Sequence, residues 1–194
     1  MPLRLSVIGQ SGPIPEPMRA AARAVGRAIA ARGHLLYTGG RDGVMAAACE
    51  GAVSAGGITV GILPGDDPLQ GNPYVTVPVT TGLTMEGRSE VLVHAADAFI
   101  IVGGGAGTLT EIAVAYLYRK PLVALQGVGG WGDRLPEILV EGKFLDFRRL
   151  VPIHFAEEPE AAVDLAVRLV EESRRRTRQV PPTGCQGDVP GAPC

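Results

Sequence analysis

Four glycines in five positions, Gly103, Gly104, Gly105 and Gly107, close an apolar run in the stretch AFIIVGGGAGTLTE, and Thr108 and Glu111 follow at once. Glycine lets backbone N–H groups approach a ligand with no Cβ in the way, and a helix start adds partial positive charge. Such a run suits a phosphate. A carboxylate follows in the first turn of the expected helix, Glu111, whose side chain can point back over the loop. The flanks argue against a flexible linker. Phe99 to Val102 is a short β-rich run, and Thr108 to Arg119 reads as an amphipathic helix. The spacing predicts a strand, a tight turn and a helix start, which is where α/β proteins place ligands.

Three further segments share this character: GQSGP with Gly9 and Ser11, TGGRDGVM with Gly39, Gly40 and Met45, and PGDDP from Pro64 to Pro68. Each follows a strand-like run. For any one loop a tight connection explains the glycines equally well, whereas several on one sheet edge favour a site. Glu111 sits four residues after Gly107, where the helix dipole alone would also suit a carboxylate. Arg88 lies near a helix start, where a cation is mildly disfavoured; it reads as a ligand-binding cation or as a surface ion pair with Glu90 or Asp97. Met45 and Met85 are candidates for lining a base pocket, with core packing as the default. Trp131 reads as the anchor of the helix it starts, with base stacking as the alternative. His34, His94 and His154 form no dyad or metal spacing. Neither common nucleotide fingerprint is complete: Thr108 stands where GxGxxG needs its last glycine, and GxxxxGK[ST] does not occur.

The elements that must position these residues alternate regularly. Strand-like runs at LRLSVIG, HLLYTGG, ITVGILPG, YVTVPV, AFIIVG, PLVAL and LVPIHF are separated by helical stretches at 15–32, 42–55, 85–95, 108–119 and 131–141, with a last helix over 157–176. Such alternation implies βαβ crossovers. The expected fold class is α/β, a Rossmann-like three-layer fold with a mostly parallel central sheet of about six to seven strands. One domain is expected over 1–176 and a disordered Pro/Gly-rich tail over 177–194.

A formal charge of -2 over 194 residues gives no general electrostatic reason to expect nucleic acid or a membrane as partner. Arg174, Arg175 and Arg176 close the last helix, as its dipole favours, and read as a solvated face. Cys49, Cys185 and Cys194 show neither a CxxC pair nor zinc spacing, so neither a metal nor a disulfide framework is expected. With no signal-peptide pattern at Leu3 to Ile8 and no apolar run near membrane-helix length, a cytoplasmic protein is expected.

In order and in kind, GGRDGVM, GILP, MEGRSE, ADAFIIVGGGAGTLTEI and KPLVAL resemble the LOG family, whose signature is PGGxGTxxE, from about Leu5 to Leu139. The resemblance implies a Rossmann-like fold, a homodimer or homotetramer, and phosphoribohydrolase activity. That reaction cuts the N-glycosidic bond of a nucleoside 5'-monophosphate, such as a cytokinin ribotide, to free base and ribose 5-phosphate, with no cofactor. It places Gly104, Gly105, Gly107 and Thr108 at the phosphate, Glu111 on the second motif glutamate, and Arg88 on the arginine that works with it. Gly103 replaces the motif proline, Thr110 the first glutamate, and Ser89 the lysine that often follows the arginine. These departures bring the chain closer to a LOG-like branch that includes molybdenum cofactor carrier proteins, in which the glycine edge holds a phosphorylated ligand without cleaving it.

Overall fold

Continuous apolar runs such as Ala98 to Val102 have no polar face, so a strand built from one must be covered on both sides. The computed structural model of the protein describes residues 1–179 and shows that cover. In chain order the elements are β1 (Arg4–Gly9), α1 (Glu16–Ala31), β2 (Leu35–Thr38), α2 (Val44–Ser54), β3 (Thr59–Leu63), β4 (Val77–Thr80), α3 (Met85–Ala95), β5 (Ala98–Val102), α4 (Ala106–Leu117), β6 (Leu122–Leu125), α5 (Trp131–Ile138), β7 (Ile153–Ala156) and α6 (Pro159–Gln179). A single 3-10 turn at Pro68–Gln70 precedes β4. No helix among the described residues is long and apolar enough to cross a membrane.

The strands form one seven-stranded sheet in the order β4-β3-β2-β1-β5-β6-β7. Every pairing in it is parallel. Alternate residues feed two cores. Leu5, Val7, Ile100, Val102, Val123 and Leu125 face one helix layer, with Val25 and Ile29 of α1, Ala48 of α2 and Val163 of α6. Ile8, Phe99, Ile101, Leu122 and Ala124 face the other, with Leu92 of α3, Ile112 and Tyr116 of α4 and Leu135 of α5. The three-layer reading is therefore met, with a sheet that is wholly rather than mostly parallel.

The topology fixes where a site can form. From β1 the chain winds one way through β2 to β4, then returns to place β5 on β1's other side, so connections diverge between the carboxyl ends of β1 and β5. A crevice opens at such a switch point. Two local differences from expectation bear on it. Helix α4 starts at Ala106, two residues before the predicted Thr108, so Glu111 lies in its second turn and its first turn carries no acidic residue. The dipole explanation for Glu111 thereby loses its ground. Helix α6 runs to Gln179, past the expected end at Arg176, and the rest of the expected tail lies outside the described residues. Arg174 pairs with Asp97 at 3.1 Å, while Arg175 and Arg176 face Glu171 and Glu172 one turn back, consistent with a solvated face.

Candidate ligand site

The crevice at the switch point is a cavity of about 260 Å³ lined by Gly9 at the end of β1, Gln10 and Ser11 just after it, Met45 of α2, Met85 to Ser89 of α3 less Gly87, and Gly105 to Glu111 of the glycine loop and α4 less Leu109. Gly9 brings the walls together. A Cβ there would lie 2.4 Å from Val102 O and 2.5 Å from a Val44 methyl, so any side chain would push apart β1, β5 and α2. The loop after β1 is tied to the next one, because Gly12 N–H donates to Asp42 at 3.1 Å and Val44 N–H donates to Gln10 O at 3.0 Å.

The glycine run contains residues of two kinds. Gly103 and Gly104 have φ of +63° and +110°, and a Cβ would strike Met18 at 2.4 Å or Thr108 at 2.6 Å. They make the turn. Gly105 and Gly107 have open space where a Cβ would go. Gly105 is the N-cap of α4 and supplies no side-chain cap, so no side chain takes up the N–H groups of the first turn, whose residues Ala106 to Thr108 line the crevice.

Behind this loop lies a buried charged pair. Arg88 is 3% exposed and Glu111 7%, with Arg88 Nη1 3.5 Å from Glu111 Oε1. Ser89 Oγ lies 3.2 Å from the same carboxylate oxygen and 3.3 Å from Met85 O, and its one hydrogen serves one of them at a time. Burial pushes the Glu111 carboxyl above the usual glutamate range, with Arg88 and Ser89 pulling it back down. Burial likewise lowers Arg88, opposed by Glu111 and reinforced by nearby Arg41. The guanidinium is short of acceptors: Glu111 is its one hydrogen-bond partner among the described residues, and Nε is buried with none. Arg88 is thus a cation held at a crevice wall with donors to spare. Asp97, offered as its surface partner, is instead bound by Arg4 at 2.8 Å and by Arg174, while Glu90 accepts from Tyr118 at 3.3 Å.

Of the residues singled out in the sequence, the crevice brings together Gly9, Ser11, Met45, Met85, Arg88, Gly105, Gly107, Thr108 and Glu111. Gly39, Gly40 and Gly104 do not line it. Gly39 lies under Arg88, where a Cβ would be 2.0 Å from Nη1, and Gly40 turns against Leu63 with φ of +71°. Gly39 therefore bears on the crevice only through the guanidinium it makes room for. Gln10, Glu86, Ser89, Ala106 and Thr110 also line the crevice and were not singled out as binding residues. Ser89 stood out in the sequence only as a departure from a motif, though its position next to Arg88 on the same helix was the available signal. His34, His94 and His154 all lie outside the crevice: His34 Nδ1 accepts from Leu3 N–H at 3.3 Å and His94 packs edge-on to Tyr118.

With this geometry in place, comparison with known proteins becomes informative. A model of the SLOG cluster4 family matches residues 2–163. The chain belongs to the SLOG cluster4 family. An uncharacterized protein of Archaeoglobus fulgidus is 35% identical over 165 residues, 85% of this chain and 95% of that protein. A cytokinin riboside 5'-monophosphate phosphoribohydrolase of Mycobacterium tuberculosis is 36% identical over 118 residues, spanning 56% of this chain and 60% of that enzyme. Among solved structures, TM1055 is 43% identical with a TM-score of 0.78, covering 88% of this chain and 99% of that one. The molybdenum cofactor carrier protein of Chlamydomonas reinhardtii is 30% identical with a TM-score of 0.72, covering 89% and 99%. The chain is thus similar both to phosphoribohydrolases and to molybdenum cofactor carriers, the two kinds of protein that the LOG resemblance led one to expect.

Proposed function

We propose that the crevice binds a nucleoside 5'-monophosphate and hydrolyses its N-glycosidic bond. The phosphate would sit on the uncapped start of α4 at Gly105 to Thr108, and Glu111 would act at the sugar. The observation that carries this reading is the one buried carboxylate facing the crevice beside those open N–H groups, with its proton affinity raised by burial. Loss of the base with the C1'–N electron pair builds positive charge on the ribose, which the carboxylate stabilises; the carboxylate also takes the proton of the attacking water as the C1'–O bond forms, and that proton passes on to the departed base, leaving free base and ribose 5-phosphate. Arg88 has donors free for the phosphate or for the departing base.

A second reading, a carrier of a phosphorylated ligand such as molybdenum cofactor, is favoured by coverage. The carrier from Chlamydomonas reinhardtii matches in fold over nearly its whole length at 30% identity. Thr110 also supplies no second carboxylate: its Oγ1 donates to Ala106 O at 3.2 Å.

Chromatography of AMP and a cytokinin ribotide after incubation with the protein separates the two. Free base released by the parent, and reduced on the order of a hundredfold or more in Glu111→Gln, is the expected result. Intact nucleotide with the parent, alongside a phosphorylated molecule recovered by mass spectrometry of the purified protein, would replace hydrolysis by carriage. A copy-to-copy assembly is proposed from the family resemblance alone, with sedimentation as its check.

A further inference from the structure

The glycine loop is buttressed from behind. Trp131 Nε1–H donates to Gly105 O at 2.9 Å, and Trp131 N–H donates to Gly103 O at 3.1 Å. The preceding residue leaves no slack: a Cβ on Gly130 would lie 2.5 Å from the carbonyl carbon of Gly103. The segment that carries Trp131 is itself fastened, because the Asp133 carboxylate accepts from Gly127 N–H at 2.7 Å and Gly129 N–H at 2.8 Å. A chain of contacts therefore runs from Asp133 through its loop to Trp131 and into the carbonyls of the glycine turn. Trp131 does not line the crevice.

Peptide geometry converts that grip into aim. All peptide bonds of the described residues are trans, so a C=O and the N–H of the following residue point in opposite directions. Gly105 O accepts both Trp131 Nε1–H and the Leu109 N–H that opens the helical ladder. With that carbonyl fixed on one side, Ala106 N–H is turned to the other, out of the helix start and toward the crevice that Ala106 lines. Gly104 N–H is likewise held opposite Gly103 O by the bond from Trp131 N–H, which steadies the turn behind the crevice although Gly104 does not line it. Without the indole donor the peptide 105–106 has one restraint fewer, next to residues whose glycines permit many other backbone angles.

We infer that Trp131 is a positioning residue, which through its indole N–H sets the direction of the loop amides that grip the ligand's phosphate. The inference rests on the phosphate-ester reading of the crevice. It also makes the chain's one tryptophan an optical reporter of that loop.

Being single, Trp131 can be replaced throughout the protein by benzothienylalanine, a near-isostere carrying sulfur in place of the N–H. Calorimetric titration with AMP is compared for parent and isostere, together with Trp131→Phe. The expected result is an affinity about tenfold weaker in both, as for loss of one hydrogen bond, and, where base is released, a higher KM with kcat retained. The parent's tryptophan emission should change as AMP saturates it. An unchanged AMP affinity in the isostere, or emission indifferent to AMP in a parent that binds it, overturns the positioning role and leaves the phosphate reading standing. A parent that binds neither AMP nor inorganic phosphate overturns the phosphate reading and the positioning role together.

Discussion

Helices α3 and α4 both start at the crevice, yet they are finished differently. At α3, Thr84 caps the first turn by accepting from Gly87 N–H at 3.3 Å, and Glu86 adds an acidic residue in that turn. At α4, the capping position is Gly105, no side chain closes the turn, and the first turn holds no acidic residue. The first satisfies its own donors, as stability requires. The second leaves them open, a cost that makes sense where something else supplies the acceptor. The charged side chains follow the same division, since Arg88 reaches from the closed helix to Glu111 on the open one.

Closing the open helix is the sharpest way to break this contrast. Gly105 has φ of -113° and free space at its Cβ, so Gly105→Asp can take up a capping carboxylate without strain. Helix stability should rise by only a few tenths of a kcal/mol. Affinity for AMP should fall about 10- to 100-fold, as charge-assisted bonds are lost to an internal competitor; a titration showing undiminished binding would mean that α4's first turn is not the phosphate site.

Acidity probes the pair between the helices. Because burial raises the Glu111 pKa above the usual range, hydrolysis that needs the carboxylate should decline on acidification at a pH above that of an ordinary glutamate. The Glu111→Gln protein should lack that limb in a pH profile. Stability carries the opposite sign: the native state takes up this proton first, so its contribution is full at low pH and is lost as pH rises from the ordinary glutamate value through the raised one. Thermal melts across that window should slope less in Glu111→Gln.

Opening the closed helix gives the smallest effect. Thr84→Ala should cost about 1 kcal/mol of stability by denaturant titration, while AMP affinity stays within twofold. A large loss of affinity there would show that α3's cap also serves the ligand.

The alternation of apolar runs with helical stretches made the fold legible, because a wholly parallel sheet needs strands buried on both faces and that pattern is written in composition. Gly105, Gly107 and Glu111 were legible as crevice residues because a glycine run between a strand and a helix marks the carboxyl edge of a parallel sheet, where a crevice opens. What the sequence hid depends on approach between distant segments. Gly39 reads as a phosphate glycine, yet it makes room for Arg88, 49 positions further on, and only the fold shows that contact. Trp131 read as a helix anchor because nothing local reveals that its indole reaches a carbonyl 26 residues earlier. The start of α4 was placed two residues late because Ala106 and Gly107 look like loop, and that shift altered the explanation of Glu111.

The two kinds of glycine in the run have a consequence for how such proteins diversify. Gly103 and Gly104 are held by backbone angle and by contact with Met18 and Thr108, so substitution there damages the turn whatever the ligand. Gly105 and Gly107 are held by neither, and a side chain at either would meet open space at the crevice wall while the scaffold stays intact. Substitution can therefore reshape the crevice wall at two positions that follow a pair of glycines the turn requires. Libraries confined to residues 105 and 107 sample new specificities on a fold that does not have to be rebuilt.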